Sequence, residues 1–270
     1  MAPDRDRAAP GRRGSALSWA STGAAWLVYL FLILPSLIVI PMSFGDKDEF
    51  IFPPNTLSLY LYRQYFSEST WMATTVESVL VAVGTTALSL VLGVSAAYGL
   101  SRGEFPGRKP LTLFLLSPLF VPVIVVSLGL YLYFSLLRIS GTTAGLILGH
   151  TVVTTPFVIV TAVAGLRHVD RTLEVAATVM GAGRLMVLRK VTLPLLRPAI
   201  IAGGLFAFLV SFDEVVISWF LASVRTQTLP VKMYSSIHWE ISPVLAAVST
   251  LLTLLWVTIC AVVAAAQKER

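Results

Sequence analysis

Cysteine occurs once, at Cys260, so no disulfide can form within the chain. Histidine is nearly as scarce. His150, His168 and His238 stand far apart and offer no metal-ligand spacing. Charge is thin as well, with Asp, Glu, Lys and Arg making up 13% of 270 residues, about half of the roughly 25% of a soluble domain. There is no G-x-x-x-x-G-K-[ST] phosphate loop; the nearest stretch, GEFPGRKP at 103–110, has the wrong spacing and places Pro110 where Ser or Thr should stand. Neither a His-Glu-x-x-His pattern nor a nucleophile–base pair supports an intramembrane enzyme. The chain is therefore expected to bind no cofactor or metal and to hydrolyse no ATP itself. The net charge of +6 does not imply nucleic acid, because the basic residues fall in short loops between apolar runs, where membrane orientation accounts for them.

What is abundant is apolar surface. Hydrophobic residues make up 56% of the chain and the mean hydropathy is +0.82, so lipid must solvate most of it. A bilayer core needs about 20 apolar residues in a helix, and six segments reach that length: 24–44, 76–100, 111–137, 144–166, 199–222 and 244–266. The expected class is an all-α integral membrane protein with six spans. The first run follows Arg12 and Arg13 but is longer than a signal peptide's apolar core and lacks a small-x-small cleavage site, so it is expected to be retained. Residues 1–18 mix Pro, Gly and charge and are expected to be a disordered tail. Residues 19–270 then form one transmembrane domain, and the segment 45–75, rich in Pro, Tyr and Trp, is expected to supply an interfacial helix and turns.

Basic residues set the orientation. Of the 20 lysines and arginines, 15 fall on one side of a six-span arrangement, and the positive-inside rule makes that side cytoplasmic. Both termini are then inside, and the loops near 45–75, 138–143 and 223–243 face outward.

The longest cytoplasmic connection, 167–198, reads RHVDRTLEVAATVMGAGRLMVLRKVTLPLLRP. Asp170 can cap a short helix on which Leu173, Ala176, Ala177 and Met180 share a face, with Gly181 or Gly183 to end it. A second helical turn follows, and Pro194 and Pro198 are expected to stop it and restart the chain into the fifth span. The small pair Ala176 and Ala177 allows another surface to approach closely, as in docking. Periodicity alone equally fits a helix lying on the headgroups.

Glu174, Ala176, Ala177, Gly181, Val191, Leu193 and Pro194 resemble the EAA coupling motif of ABC-importer permeases. The motif has an acidic residue and two alanines before a glycine, then an aliphatic-x-Leu-Pro. One departure is Val175, which stands where the family usually has Glu, so either Glu174 is the functional acid or it is only that residue's neighbour. The stretches SPLFVPVIVVSLGL (117–130), FLVSFDEVVISWF (208–220) and TLPVKMYSSIHWEISP (228–243) are similar to the C-type inner-membrane permease of spermidine/putrescine importers. Glu77, where that family commonly has Asn, also departs. The resemblance implies a type I ABC-importer permease fold in a bacterial inner membrane. It further implies a second homologous permease, two cytoplasmic ATP-binding subunits that use ATP-Mg, and an extracytoplasmic solute-binding protein. Glu174, Ala176, Ala177, Gly181, Leu193 and Pro194 are then the ATPase-coupling residues.

Ionisable residues inside a span cost at least about 2.5–3.5 kcal/mol and persist at partners or wet pathways. Asp213 and Glu214 are the strongest such signal. On a continuous helix Glu214 shares a stripe with Ala207, Ser211 and Ser218, flanked by Phe208, Phe212 and Trp219, whereas Asp213 falls among Phe206, Leu209, Ile217 and Phe220. A carboxylate beside aromatic faces suits an ammonium substrate; a polar contact that fixes helix packing fits the same residues. Glu77 is expected in a structural or surface place and His150 in a packed, hydrogen-bonded one. Glycines 141, 145 and 149 fit close helix packing. Pro118, Pro122 and Pro156 interrupt their helices. A secondary transporter or channel that uses Asp213 and Glu214 as proton or ion ligands is the alternative function.

Overall fold

The computed structural model describes residues 13–46, 51–240 and 242–268, and every regular element among them is helical. In chain order the helices are α1 (Arg13–Met42), α2 (Tyr60–Ser67), α3 (Ser69–Arg102), α4 (Arg108–Leu116), α5 (Val123–Leu136), α6 (Thr143–His168), α7 (Arg171–Val179), α8 (Arg184–Val187), α9 (Leu193–Phe212), α10 (Val216–Leu221), α11 (Leu229–Ser235) and α12 (Val244–Lys268). They form two compact units, one built from the chain up to Ser67 together with the part from Ser242 onward, the other from Glu68–Ile241.

In the first unit, α1 is apolar on all sides, with Leu27, Phe31 and Leu32 exposed, as suits a helix surrounded by acyl chains. Its end is tied to α2 by the Ser43 and Tyr62 hydroxyls, 2.7 Å apart, and by the Phe44 and Tyr62 rings, whose centroids are 5.5 Å apart. Helix α12 packs against both α1 and α2. Residues 1–12 of the expected tail lie outside the described residues. Residues 13–18 are helical, since Ser15, Ala16 and Leu17 contain no breaker to keep them out of α1.

The core of the second unit is the packing of α3, α6 and α9. Along α3 the buried positions Ser78, Ala82, Thr85, Ser89, Gly93 and Ala97 recur every three or four residues and are all small. In lipid, which is as apolar as leucine, spans associate through close packing and polar contacts, and small residues permit both. A Cβ at Gly93 would lie 2.7 Å from Val158 Cγ1, and one at Gly203 would lie 2.6 Å from Thr161 Oγ1. The Ser89 and Thr154 hydroxyls meet at 2.7 Å across the α3–α6 seam, a contact worth about 0.6 kcal/mol in such bundles. Of the expected glycine series, Gly149 closes against Ile217 and Leu221, while Gly141 sits in the preceding turn at φ 79°.

Among the described residues, four helices are long and apolar enough to cross a membrane, and one bent helix pair passes the same test only when its halves are taken together. The run expected as one span at 111–137 forms α4, a 3-10 turn at Ser117–Leu119 and α5, bent by 99°. Pro122 explains the break: it has no N–H to donate backward, and its ring drives Val121 out of the helical region. Pro156, by contrast, is absorbed within a continuous α6. Helix α12, Val244–Lys268, covers the run expected as the sixth span at 244–266. The fifth span also departs from expectation, because one helical run extends over Arg184–Phe212, through a π turn at Leu188–Thr192. Neither Pro194, just after that π turn, nor Pro198, inside α9, stops the helical run.

Candidate functional site

Helix α7 is defined at both ends by the sequence. Asp170 accepts the N–H of Thr172 at 2.9 Å; the Thr172 side chain and, second, that backbone bond hold its carboxyl below the ordinary 3.8. Gly181, at φ 90°, ends the helix. The N–H of Gly181 meets the Thr178 carbonyl and that of Ala182 meets the Ala177 carbonyl, the paired bonds of a Schellman motif.

Of the residues expected to share a face of α7, Leu173, Ala176 and Met180 are exposed together and Ala177 alone is turned inward. Glu174 and Ala177 point inward, whereas Leu173 is 49% exposed, Val179 83% and Met180 82%. Ala176 is exposed, so the alanine pair is divided between the faces. Glu174 accounts for the difference. Its Oε2 lies 3.0 Å from Arg102 Nε at the end of α3, and its Oε1 accepts the Thr192 hydroxyl at 2.9 Å. Arg102 Nη2 also donates to the carbonyls of Val169 at 2.9 Å and Leu166 at 3.4 Å. One guanidinium thus joins the end of α3, the end of α6 and α7, and Glu174 extends the link to the π turn. The sequence pattern alone singles out neither Arg102 nor Thr192. A cation on the last turn of a long apolar helix, with a buried-type acid in the next cytoplasmic loop, was the available signal. Leu193 is half-buried and Pro194 exposed, both in the first turn of α9.

Between α3 and α7 lies a cavity of about 620 Å³, lined among others by Tyr98, Arg102, Glu104, Arg171, Glu174 and Arg184. Arg171 Nη2 approaches Glu104 Oε1 at 3.9 Å on its rim; both side chains are exposed, so this pair contributes little.

The second candidate region is the fifth span, and there the helix is broken. Helix α9 ends at Phe212 and α10 begins at Val216. Glu214 Oε1 accepts the N–H groups of Val216 at 2.8 Å and Ile217 at 3.0 Å, supplying acceptors that the first turn of a helix otherwise lacks. Glu214 is half-buried and Asp213 exposed. The assumption of 100° per residue fails across this break, and with it the expected cavity-facing stripe. Ala207, Ser211 and Ser218 are buried, and both serines face His150 on α6. His150 Nδ1 and Ser211 Oγ are 2.9 Å apart, as are Nε2 and Ser218 Oγ, so one imidazole joins the two sides of the break. Phe208 and Phe212 stack at 5.9 Å. Trp219 instead meets Tyr234 edge-on at 5.3 Å. Glu77 Oε1 accepts the Thr143 hydroxyl at 2.6 Å.

Residues 89–270 match the family described as the binding-protein-dependent transport system inner membrane component. A spermidine/putrescine transport system permease protein PotC of Haemophilus influenzae is 30% identical over 230 residues, 85% of this chain and 89% of that one. A putrescine transport system permease protein PotI of Escherichia coli K12 is 31% identical over 233 residues, 84% of this chain and 83% of that one. The fold is similar to a chain in the crystal structure of a bacterial ABC transporter involved in the import of the acidic polysaccharide alginate. That match has a TM-score of 0.75 at 16% identity and covers 97% of this chain and 99% of that one.

Proposed function

Since the chain belongs to the binding-protein-dependent transport system inner membrane components and is an ABC-importer permease of the polyamine type, we propose that it forms half of a translocation pathway for polyamines such as spermidine or putrescine. A second, homologous permease completes the pathway. Two ATP-binding subunits use ATP-Mg on the cytoplasmic side, where both termini lie, and an extracytoplasmic binding protein delivers the solute. The α7 region is the coupling element. The observation that carries this is the two-sided construction of α7: an apolar outward face of Leu173, Val175, Val179 and Met180 on a helix whose inward face is pinned to α3 by Arg102 and Glu174.

An apolar face on a cytoplasmic helix is stable when another protein covers it. A helix joined to the spans by a charged hydrogen-bonded network moves with them instead of bending freely. When the ATPase subunits close, a push on Val179 and Met180 is transmitted through Glu174 and Arg102 to α3, and the spans alternate their access. Exposed Asp213 and half-buried Glu214, at the break in the fifth span, supply negative charge for a cationic solute.

The test is uptake of labelled spermidine and putrescine by cells carrying the complete transporter, with ATP hydrolysis measured on the reconstituted complex. ATP-dependent uptake that Val179→Asp/Met180→Asp abolishes is the expected result. Uptake that persists without ATP would favour the secondary transporter or channel.

A further inference from the structure

Where α3 and α6 both reach their basic ends, a groove of about 370 Å³ runs between α3, α4 and α6. Its walls are apolar: Leu100 on α3, Leu116 on α4, and Ile159, Val160 and Val163 on α6. Its mouth carries Arg108, the first residue of α4, and Arg167, in the last turn of α6. Both arginines are exposed. Glu174 and Glu104 pair with Arg102 and Arg171, and among the described residues Arg108 and Arg167 have no acidic partner. No Asp or Glu lines the groove. The larger cavity beside α7 is different, because Glu104 and Glu174 stand among its arginines.

We propose that this groove binds an anionic phospholipid, with its phosphate between Arg108 and Arg167 and an acyl chain along Leu100, Leu116, Val160 and Val163. Two lines of chemistry select that occupant. The spans change from apolar residues to arginine within one turn here, which is the depth of lipid phosphates. Two cations without a nearby anion favour a headgroup of net negative charge, since the ammonium of a zwitterionic lipid would find no partner. Helix α4, which forms one wall, also turns Leu113, 68% exposed, and Phe114, 73% exposed, away from the bundle, as a helix in contact with acyl chains does. A free phosphate would meet the arginines but leave the apolar length unfilled.

The test is native mass spectrometry of the full chain in detergent, titrated with phosphatidylglycerol or phosphatidylcholine. At the roughly fivefold that each arginine near a headgroup contributes, the first phosphatidylglycerol is expected to bind about 30-fold more tightly than phosphatidylcholine. Arg108→Gln/Arg167→Gln, both at exposed sites, should abolish that preference. Val160→Trp should weaken phosphatidylglycerol with both arginines intact. Equal affinity for the two lipids, or a preference that survives in the double variant, overturns the proposal. So does inorganic phosphate binding as tightly as the lipid, which would make the site a simple anion pocket. In native membranes, a disulfide from Ala164→Cys, in a Cys260→Ser background, to another polypeptide would show that protein fills the groove, and would overturn it as well.

Discussion

Arg102 Nε and Glu174 Oε2 lie 3.0 Å apart, with the two side chains only 16% and 10% exposed. Glu174 therefore points into its own chain. Val175, beside it and 54% exposed, does not share that burial.

Removing one member of that pair leaves the other charge poorly compensated. Glu174→Ala is expected to cost about 1–3 kcal/mol, visible as a lower melting temperature of the purified chain. Arg102→Lys should keep the charge yet lose the bonds to Val169 and Leu166, because an ammonium cannot span the guanidinium's donors. In the assembled transporter, the expected signature is ATP hydrolysis that continues while uptake falls. Equal loss of hydrolysis and uptake would mean that the pair holds the docking surface in shape but transmits nothing.

At Gly181 the backbone φ is 90°, and a Cβ would meet nothing within 4 Å. The constraint is conformational, not spatial. Gly181→Asn should be tolerated, since Asn adopts the left-handed region readily, whereas Gly181→Val should cost roughly 1–2 kcal/mol and fray α7. Binding of the ATPase subunits to the two variants measures this. Identical binding would show that the Schellman end of α7 does not shape the docking face.

Glu214 caps α10 through one carboxylate oxygen, an acceptor that an amide retains. Glu214→Gln should thus leave the fold and assembly intact, while Glu214→Ala removes the cap and costs about 1 kcal/mol. If the charge attracts a cationic solute, Glu214→Gln lowers polyamine uptake several-fold at unchanged protein level. Asp213→Asn then becomes the informative comparison, because Asp213 is the more exposed of the two. Normal uptake by both amide variants would remove both carboxylates from recognition.

His150 joins Ser211 and Ser218 across the break, so His150→Phe should strand two buried hydroxyls and loosen α10 from α6. The expected cost is about 1–3 kcal/mol, and a cysteine pair across α6 and α10 should cross-link less efficiently. His150→Gln, with a donor and an acceptor of its own, should restore part of the stability. No recovery would indicate that the ring's volume matters more than its hydrogen bonds.

Orientation can be checked independently of transport. In a Cys260→Ser background, cysteine at position 170 or 184 should resist an impermeant thiol reagent added outside intact cells and react after the membrane is opened. Labelling from outside would invert the topology and move α7 away from any cytoplasmic ATPase.

Composition and local pattern determined the membrane class, the positions of most spans and the ends of α7, because each depends on interactions within a few residues. Apolar length decides whether a helix can cross lipid; Asp170 and Gly181 act on their own backbone neighbours. Tertiary structure alone decided which way side chains face. Glu174 is turned inward by Arg102, 72 residues earlier in the chain, and Ser211 and Ser218 are turned inward by His150, more than 60 residues earlier. A helical wheel assigns relative angles only while the helix continues and carries no information about which angle meets protein. At Asp213 the helix stopped, and the buried face was set by partners distant in sequence.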